Sequence, residues 1–302
     1  MTAIDMVIEP RDRPVGTGSV RRVLPWRERR MVGPFIFADL IGPDHLAPGS
    51  GVDIDAHPHI GLSTLTYLFE GRLVHRDSTG AVQTIEAGAV NWMTAGAGVT
   101  HTERSHPEDR GVPAVLHGIQ LWVALPSADE ECTPSFEHHP AASAPVIELP
   151  SATVRIVAGT GWGTTAPVTV SSPLVLAQLD LGDGAAVALD ADHPERAVLL
   201  VDGHATVDGT ALGPGQLAVI TPGSRPVLAG PGRVGVRGGE PGRPRRRGWG
   251  VVPADPERRG AAQAGGGGQR VPQVPGDHGP GVPAPARRPP GAAPPGGGGG
   301  HR

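Results

Sequence analysis

The sequence predicts an all-β protein, built as two tandem β-barrels with a disordered Gly/Pro/Arg-rich C-terminal tail. Three observations carry that expectation. Between residues 16 and 125 the chain runs in short β-prone segments separated by turn residues, with no helical period. The same grammar returns in the second half, with glycines at matching intervals. Beyond residue 240 the apolar residues that a core requires give out.

Each element of the first half has a local reason. Leu62 to Phe69 (LSTLTYLF) is rich in β-branched and aromatic residues and stops at Glu70-Gly71. Arg72 to Arg76 follows, then Asp77-Ser78-Thr79-Gly80 as a turn, then Ala81 to Ile85. Gly88 opens the run Ala89 to Met93, and Gly96 and Gly98 break it before Val99 to Glu103. A longer strand is expected from Val115 to Leu125. In the second half Leu199 to Asp202 ends at Gly203 as Tyr67 to Glu70 ends at Gly71, and Gly215 starts QLAVITPG as Gly88 starts AVNWMTAG. Two copies of one barrel unit explain this, joined near the Pro/Ala-rich stretch Pro140 to Pro145. The expected division is 1–140, 141–240 and a low-complexity tail, 241–302.

The tail is nearly half Gly and Pro, and no Leu, Ile, Met, Phe or Tyr follows Leu228. Such a segment cannot bury enough apolar surface to offset the entropy of ordering it. All 26 basic residues are Arg, which points to a GC-rich gene. The formal charge of −4 combines a basic tail with an acidic body, and an acidic body argues against direct nucleic-acid binding. The single cysteine, Cys132, excludes an internal disulfide framework and fits a reducing compartment. The N-terminus lacks the apolar core of a signal peptide, and no run approaches the ~20 residues of a membrane span. The expectation is a soluble cytoplasmic monomer with no membrane contact.

His57-Pro58-His59 and His101-Thr102-Glu103 carry the chemistry. Each pair is spaced i, i+2, so on a strand both members point to one face. Two such strands side by side aim three imidazoles and one carboxylate at a single point, a ligand set for one divalent transition metal. Mixed N/O donors suit Fe(II), Ni, Co, Mn, Cu or Zn, and the lack of thiolates argues against a closed structural zinc site. Counted across the repeat, His57 and His59 fall opposite Leu189 and Ala191, and His101 and Glu103 opposite Leu228 and Gly230, so the second barrel is expected to be metal-free. His75, His106, His117, His138 and His139 lack a partner of this kind. They read as surface groups or supports of the ligands, with His117 a satisfied core histidine. Glu70 reads as a turn residue or a support, and Trp92, Trp122 and Phe37 as core.

The stretches RRMVGPFIFADLIGP (29–43), HPHIGLSTLTYLFEGRLVHRDSTG (57–80), VNWMTAGAGVTHTER (90–104) and LHGIQLWVALP (116–126) resemble the pirin family, two-barrel members of the cupin superfamily. The resemblance implies two tandem cupin (jelly-roll β-barrel) domains, with a metal, Fe(II) first among the candidates, on His57, His59, His101 and Glu103. It also implies a quercetin 2,3-dioxygenase-type activity on a small aromatic substrate with O2, Glu103 taking the substrate proton. The alternative it implies is a non-enzymatic, iron-dependent redox-sensing regulator acting through a protein partner. After GGEP (238–241) the resemblance breaks, Trp249 being the only aromatic of the region that follows. A shifted reading frame in a GC-rich gene accounts for the break, and peptide mass spectrometry of the tail tests it.

Overall fold

A computed structural model of the chain describes residues 2–189 and 191–240, so the expectations for the tail lie outside the described residues. The first half is made of β1 (Ile4–Ile8), β2 (Arg11–Val15), β3 (Gly18–Leu24), β4 (Phe35–Leu46), β5 (Asp53–His59) and β6 (Leu62–Glu70). Then come β7 (Arg72–Asp77), β8 (Val82–Glu86), β9 (Val90–Thr94), β10 (Val99–Ser105), β11 (Ala114–Ala124) and β12 (Ser135–His139). The second half holds β13 (Val146–Leu149), β14 (Ala152–Gly161), β15 (Thr164–Thr165), β16 (Leu174–Leu181), β17 (Ala186–Ala188) and β18 (Glu195–Gly203). It ends with β19 (Ala205–Val207), β20 (Thr210–Leu212), β21 (Leu217–Ile220), β22 (Val227–Ala229) and β23 (Gly232–Gly239). Among the described residues the only helical pieces are short 3-10 turns at Pro107–Gly111 and Ala141–Ser143. No helix there is long and apolar enough to cross a membrane. The fold is all-β; the expected strands of the first half appear with ends moved by one or two residues, while Leu199 to Asp202 is the end of a longer strand that begins at Glu195.

The repeat is visible in the order of the sheets. In the first half the large sheet runs β12-β9-β6-β11-β4-β3-β2 and faces a small sheet β5-β10-β7-β8. In the second half the large sheet runs β1-β21-β18-β23-β16-β14-β13, with β15 on β14, and the small sheet runs β17-β22-β19-β20. The two orders match strand for strand. Gly71 and Gly203, which close equivalent strands, both adopt positive φ, +83° and +76°. A Cβ at Gly71 would collide with the Val115 carbonyl. One equivalence crosses the chain: the place β12 holds beside β9 is filled in the second sheet by β1, pairing with β21.

Alternation sorts each large sheet into two faces. Along β6 and β11, Leu65, Tyr67, Ile119 and Leu121 join a buried cluster with Leu176, Leu199 and Val236 of the second half, so one apolar core joins the two sheets. Each such Leu or Ile contributes about 1.5–3 kcal/mol when fully buried. Tyr67 donates its hydroxyl to Gln178 Oε1 at 2.9 Å across this layer, and burial pushes its phenol up to about 12. The other face carries Thr66, Gln120, Trp122 and Phe37 towards the small sheet of the first barrel.

Candidate metal centre

β10 lies between β5 and β7, and its register places the functional side chains. His101 stands opposite His57 on one side and Asp77 on the other, and Glu103 stands opposite His75. A bulge between His101 and Glu103 gives β5 one extra residue, so Glu103 faces Ile54 there. Because alternate residues share a face, His57, His59, His101, Glu103, His75 and Asp77 gather on one side of the small sheet. His59, His101, Glu103, His75 and Asp77 are buried, while His57 is only partly so and marks the more open side.

The donor atoms of His57, His59 and His101 lie within 4.8 Å of one another. His59 Nε2 and His101 Nε2 are 3.0 Å apart. Two nitrogens bound at right angles to one metal, each at about 2.0–2.1 Å, stand about 3 Å apart. His57 donates Nδ1–H to the Asp55 carbonyl at 2.8 Å, which leaves its Nε2 lone pair free. Burial first, and then the neighbouring imidazoles, lowers the His59 pKa to about 3 and holds His101 well below its ordinary range. Both rings are therefore neutral at pH 7, the form that binds metal.

Glu103 is grouped with His101 and His75 rather than directly with His57 and His59. Thr66 Oγ1 donates to Glu103 Oε1 at 2.7 Å and sits 2.8 Å from the Gln120 side-chain amide. A hydroxyl has one proton, so it serves the carboxylate and the amide turns its NH2 to Thr66. Phe37 and Trp122 stack at 3.9 Å and 9°, and the Trp122 edge meets His59 at 5.0 Å. Arg22 lies 4.3 Å over Phe37 while clamping the buried Asp39 with two bonds of 2.7 and 2.8 Å. Of the three aromatics expected as core, Phe37 and Trp92 are buried, while Trp122 is only partly buried and borders the site.

Residues 17–123 match the family model described as Pirin. A pirin-like protein of Caulobacter vibrioides is 42% identical over 290 residues, covering 93% of this chain and 99% of its own length. The chain belongs to the pirin family. A crystal structure of quercetin 2,3-dioxygenase from Acinetobacter baumannii is similar at TM-score 0.73 and 34% identity, over 79% of each chain. The Escherichia coli pirin YhhW, solved in complex with nickel(II), shares the fold at TM-score 0.62 and 18% identity, over 78% of this chain and 99% of its own.

Within this pirin the remaining histidines separate. His75 was expected to have no strand-spaced partner, but it forms a third i, i+2 pair with Asp77, their atoms 3.1 Å apart. The signal was present in the sequence as His-x-Asp at the spacing of the other two pairs. His75 also stacks on Phe136 at 4.5 Å. His117 is buried against Phe69, but its Nε2 has no hydrogen-bond partner among the described residues, where the sequence pointed to a satisfied core histidine. His106 accepts from Glu108 N at the short turn after β10, His138 contacts Asn91, and His139 contacts Glu137. Glu70 is exposed at its turn. In the second barrel, Leu228 is paired with Val187 on one side and Val207 on the other. Val187 therefore holds the His57 position, two residues from the Leu189 that counting suggested.

Proposed function

We propose that this pirin is a metal-dependent dioxygenase of the quercetin 2,3-dioxygenase type. The observation that carries the reading is the convergence of His57, His59 and His101 at the opening of the first barrel, with Glu103 beside His101. In this reading His57, His59, His101 and Glu103 hold one divalent metal, Fe(II) first and Ni, Co, Mn, Cu or Zn as alternatives. The division is a metal-binding barrel within residues 1–140 and a metal-free one from 141 to 240, to whose large sheet β1 is added. The likeness to the Acinetobacter baumannii enzyme supports a flavonol-like substrate with O2.

When bound, the metal supplies Lewis acidity towards a deprotonated hydroxyl and a redox partner for O2. The protein supplies the rest. Glu103 accepts the substrate hydroxyl proton at the oxygen that Thr66 leaves free. Trp122, backed by Phe37 at 3.9 Å, borders His59 with an aromatic ring and keeps water from it. The partly exposed His57 marks the side from which a substrate enters.

The test is anaerobic loading with Fe(II), followed by a flavonol and O2, with CO release measured. Wild type releases CO, and His57→Ala loses both the metal and the activity. Turnover by a metal-free His57→Ala protein would rule the reading out. No CO with any of the six metals would favour the regulator, which acts through a protein partner and needs the same ligands.

A further inference from the structure

Asp77 takes no place among the proposed ligands, yet a continuous chain of contacts ties it to one of them. Its Oδ1 accepts from Thr79 N at 2.8 Å, Thr79 Oγ1 at 2.6 Å and Ala81 N at 3.2 Å. Its Oδ2 lies 3.1 Å from His75 Nε2. A carboxylate only accepts, so His75 carries its proton on Nε2 and leaves Nδ1 bare. That bare Nδ1 lies 3.3 Å from His101 Nδ1, which must then be the protonated nitrogen of His101. The consequence is a lone pair on His101 Nε2, the atom 3.0 Å from His59 Nε2.

We propose that Asp77 and His75 are positioning residues that fix the tautomer of His101, so that its Nε2 is presented unprotonated to a metal. This inference rests on the metal site of the proposed function. The second barrel is an internal comparison. Where Leu228 replaces His101, the Asp77 position is Val207 and, two residues earlier on the same strand, the His75 position is Ala205. The second copy lacks the ligand and the relay together.

Asp77→Asn inverts the relay without removing it. The Asn oxygen stays with its three donors, so the NH2 faces His75 Nε2 and that nitrogen must be bare. The His75 proton moves to Nδ1 and is donated to His101 Nδ1, and the His101 proton moves to Nε2, the ligating atom. In metal-free protein at pH 8, nitrogen NMR of the rings should show His101 protonated at Nδ1 in wild type and at Nε2 in Asp77→Asn. Ni(II) affinity, measured by competition with a chromophoric chelator, should fall about 10–100-fold in Asp77→Asn. His75→Ala cuts the relay and frees His101 to choose its tautomer, so its loss should be smaller. The double variant should behave as His75→Ala alone, because the Asn has lost its route to His101.

An unchanged His101 tautomer in Asp77→Asn, or additive losses in the double variant, would overturn the proposal. Two Ni(II) ions per wild-type chain, one lost in His75→Ala, would overturn it by making His75 a ligand. A wild type that binds no Ni(II) or Fe(II), while its His101 tautomer still switches in Asp77→Asn, would remove the metal reading and support the relay.

Discussion

His59 is buried among His57, His101 and the edge of Trp122, and its pKa of about 3 sets a pH dependence on the metal-free protein. In the unfolded chain the same ring titrates near 6.5. Above that value neither state binds the proton, and stability is complete. As pH falls from 6.5 towards 3, the unfolded state takes up a proton that the folded state refuses, at a cost of up to about 1.4 kcal/mol per pH unit. His101 acts in the same direction. The melting temperature of metal-free protein should drop through this window, and His59→Gln should flatten the drop. Parallel melting curves for the two proteins between pH 7 and pH 4 would contradict this. The four candidate ligands stood out in the sequence because two pairs of metal-ligating residue types share the i, i+2 spacing that puts both members on one face of a strand. His75 and Asp77 have the same spacing, but the contact that ties them to the site, His75 Nδ1 to His101 Nδ1, forms only when β7 lies beside β10.

At the scale of elements, strand positions were legible because glycine at positive φ punctuates both halves at the same places. Partners were less so. Nothing in the sequence of β1 (Ile4–Ile8) says that it pairs with β21, and its own half offers the closer edge. Ile8 is fully buried in the shared core, and Thr221 reaches back to the Ala3 carbonyl with its backbone N–H. Removing residues 2–8 should therefore destabilise the second barrel by several kcal/mol, through the lost ladder and the Ile8 side chain. Ni(II) affinity of the surviving folded protein should change less than twofold, since no ligand or relay residue touches β1. A truncated protein with unchanged urea midpoint would show that the pairing contributes little.

Across the whole molecule, the layer between the two large sheets is apolar except at a few places, and Arg237 is the most costly. It lies on β23 between Leu176 and Ala197, fully buried, with all three guanidinium nitrogens lacking a hydrogen-bond partner among the described residues. Burial lowers its pKa to about 10, which still leaves it charged at pH 7. An unpaired buried charge costs more than an apolar side chain in the same volume. Arg237→Leu should raise the unfolding free energy by about 1–4 kcal/mol, read as a higher urea midpoint, with Ni(II) affinity unchanged. A lower midpoint would mean that the guanidinium has a partner. The sequence could not reveal this cost, because Arg237 and Arg233 alternate like ordinary exposed residues, whereas Arg233 finds Asp180 and Arg237 finds no partner among the described residues.

The pairing of β1 with β21 also imposes an order in time. During synthesis β1 leaves the ribosome long before its partner, Leu217–Ile220, which lies more than 200 residues later. At about 5–20 residues per second, synthesis of the intervening chain takes roughly 10–40 seconds. The first barrel can close during that interval, while Ile4–Ile8 stays unpaired with Ile8 still in water. A newly made molecule thus passes through a stage in which β1 is exposed and waits for β21, whose own ladder to β18 it extends.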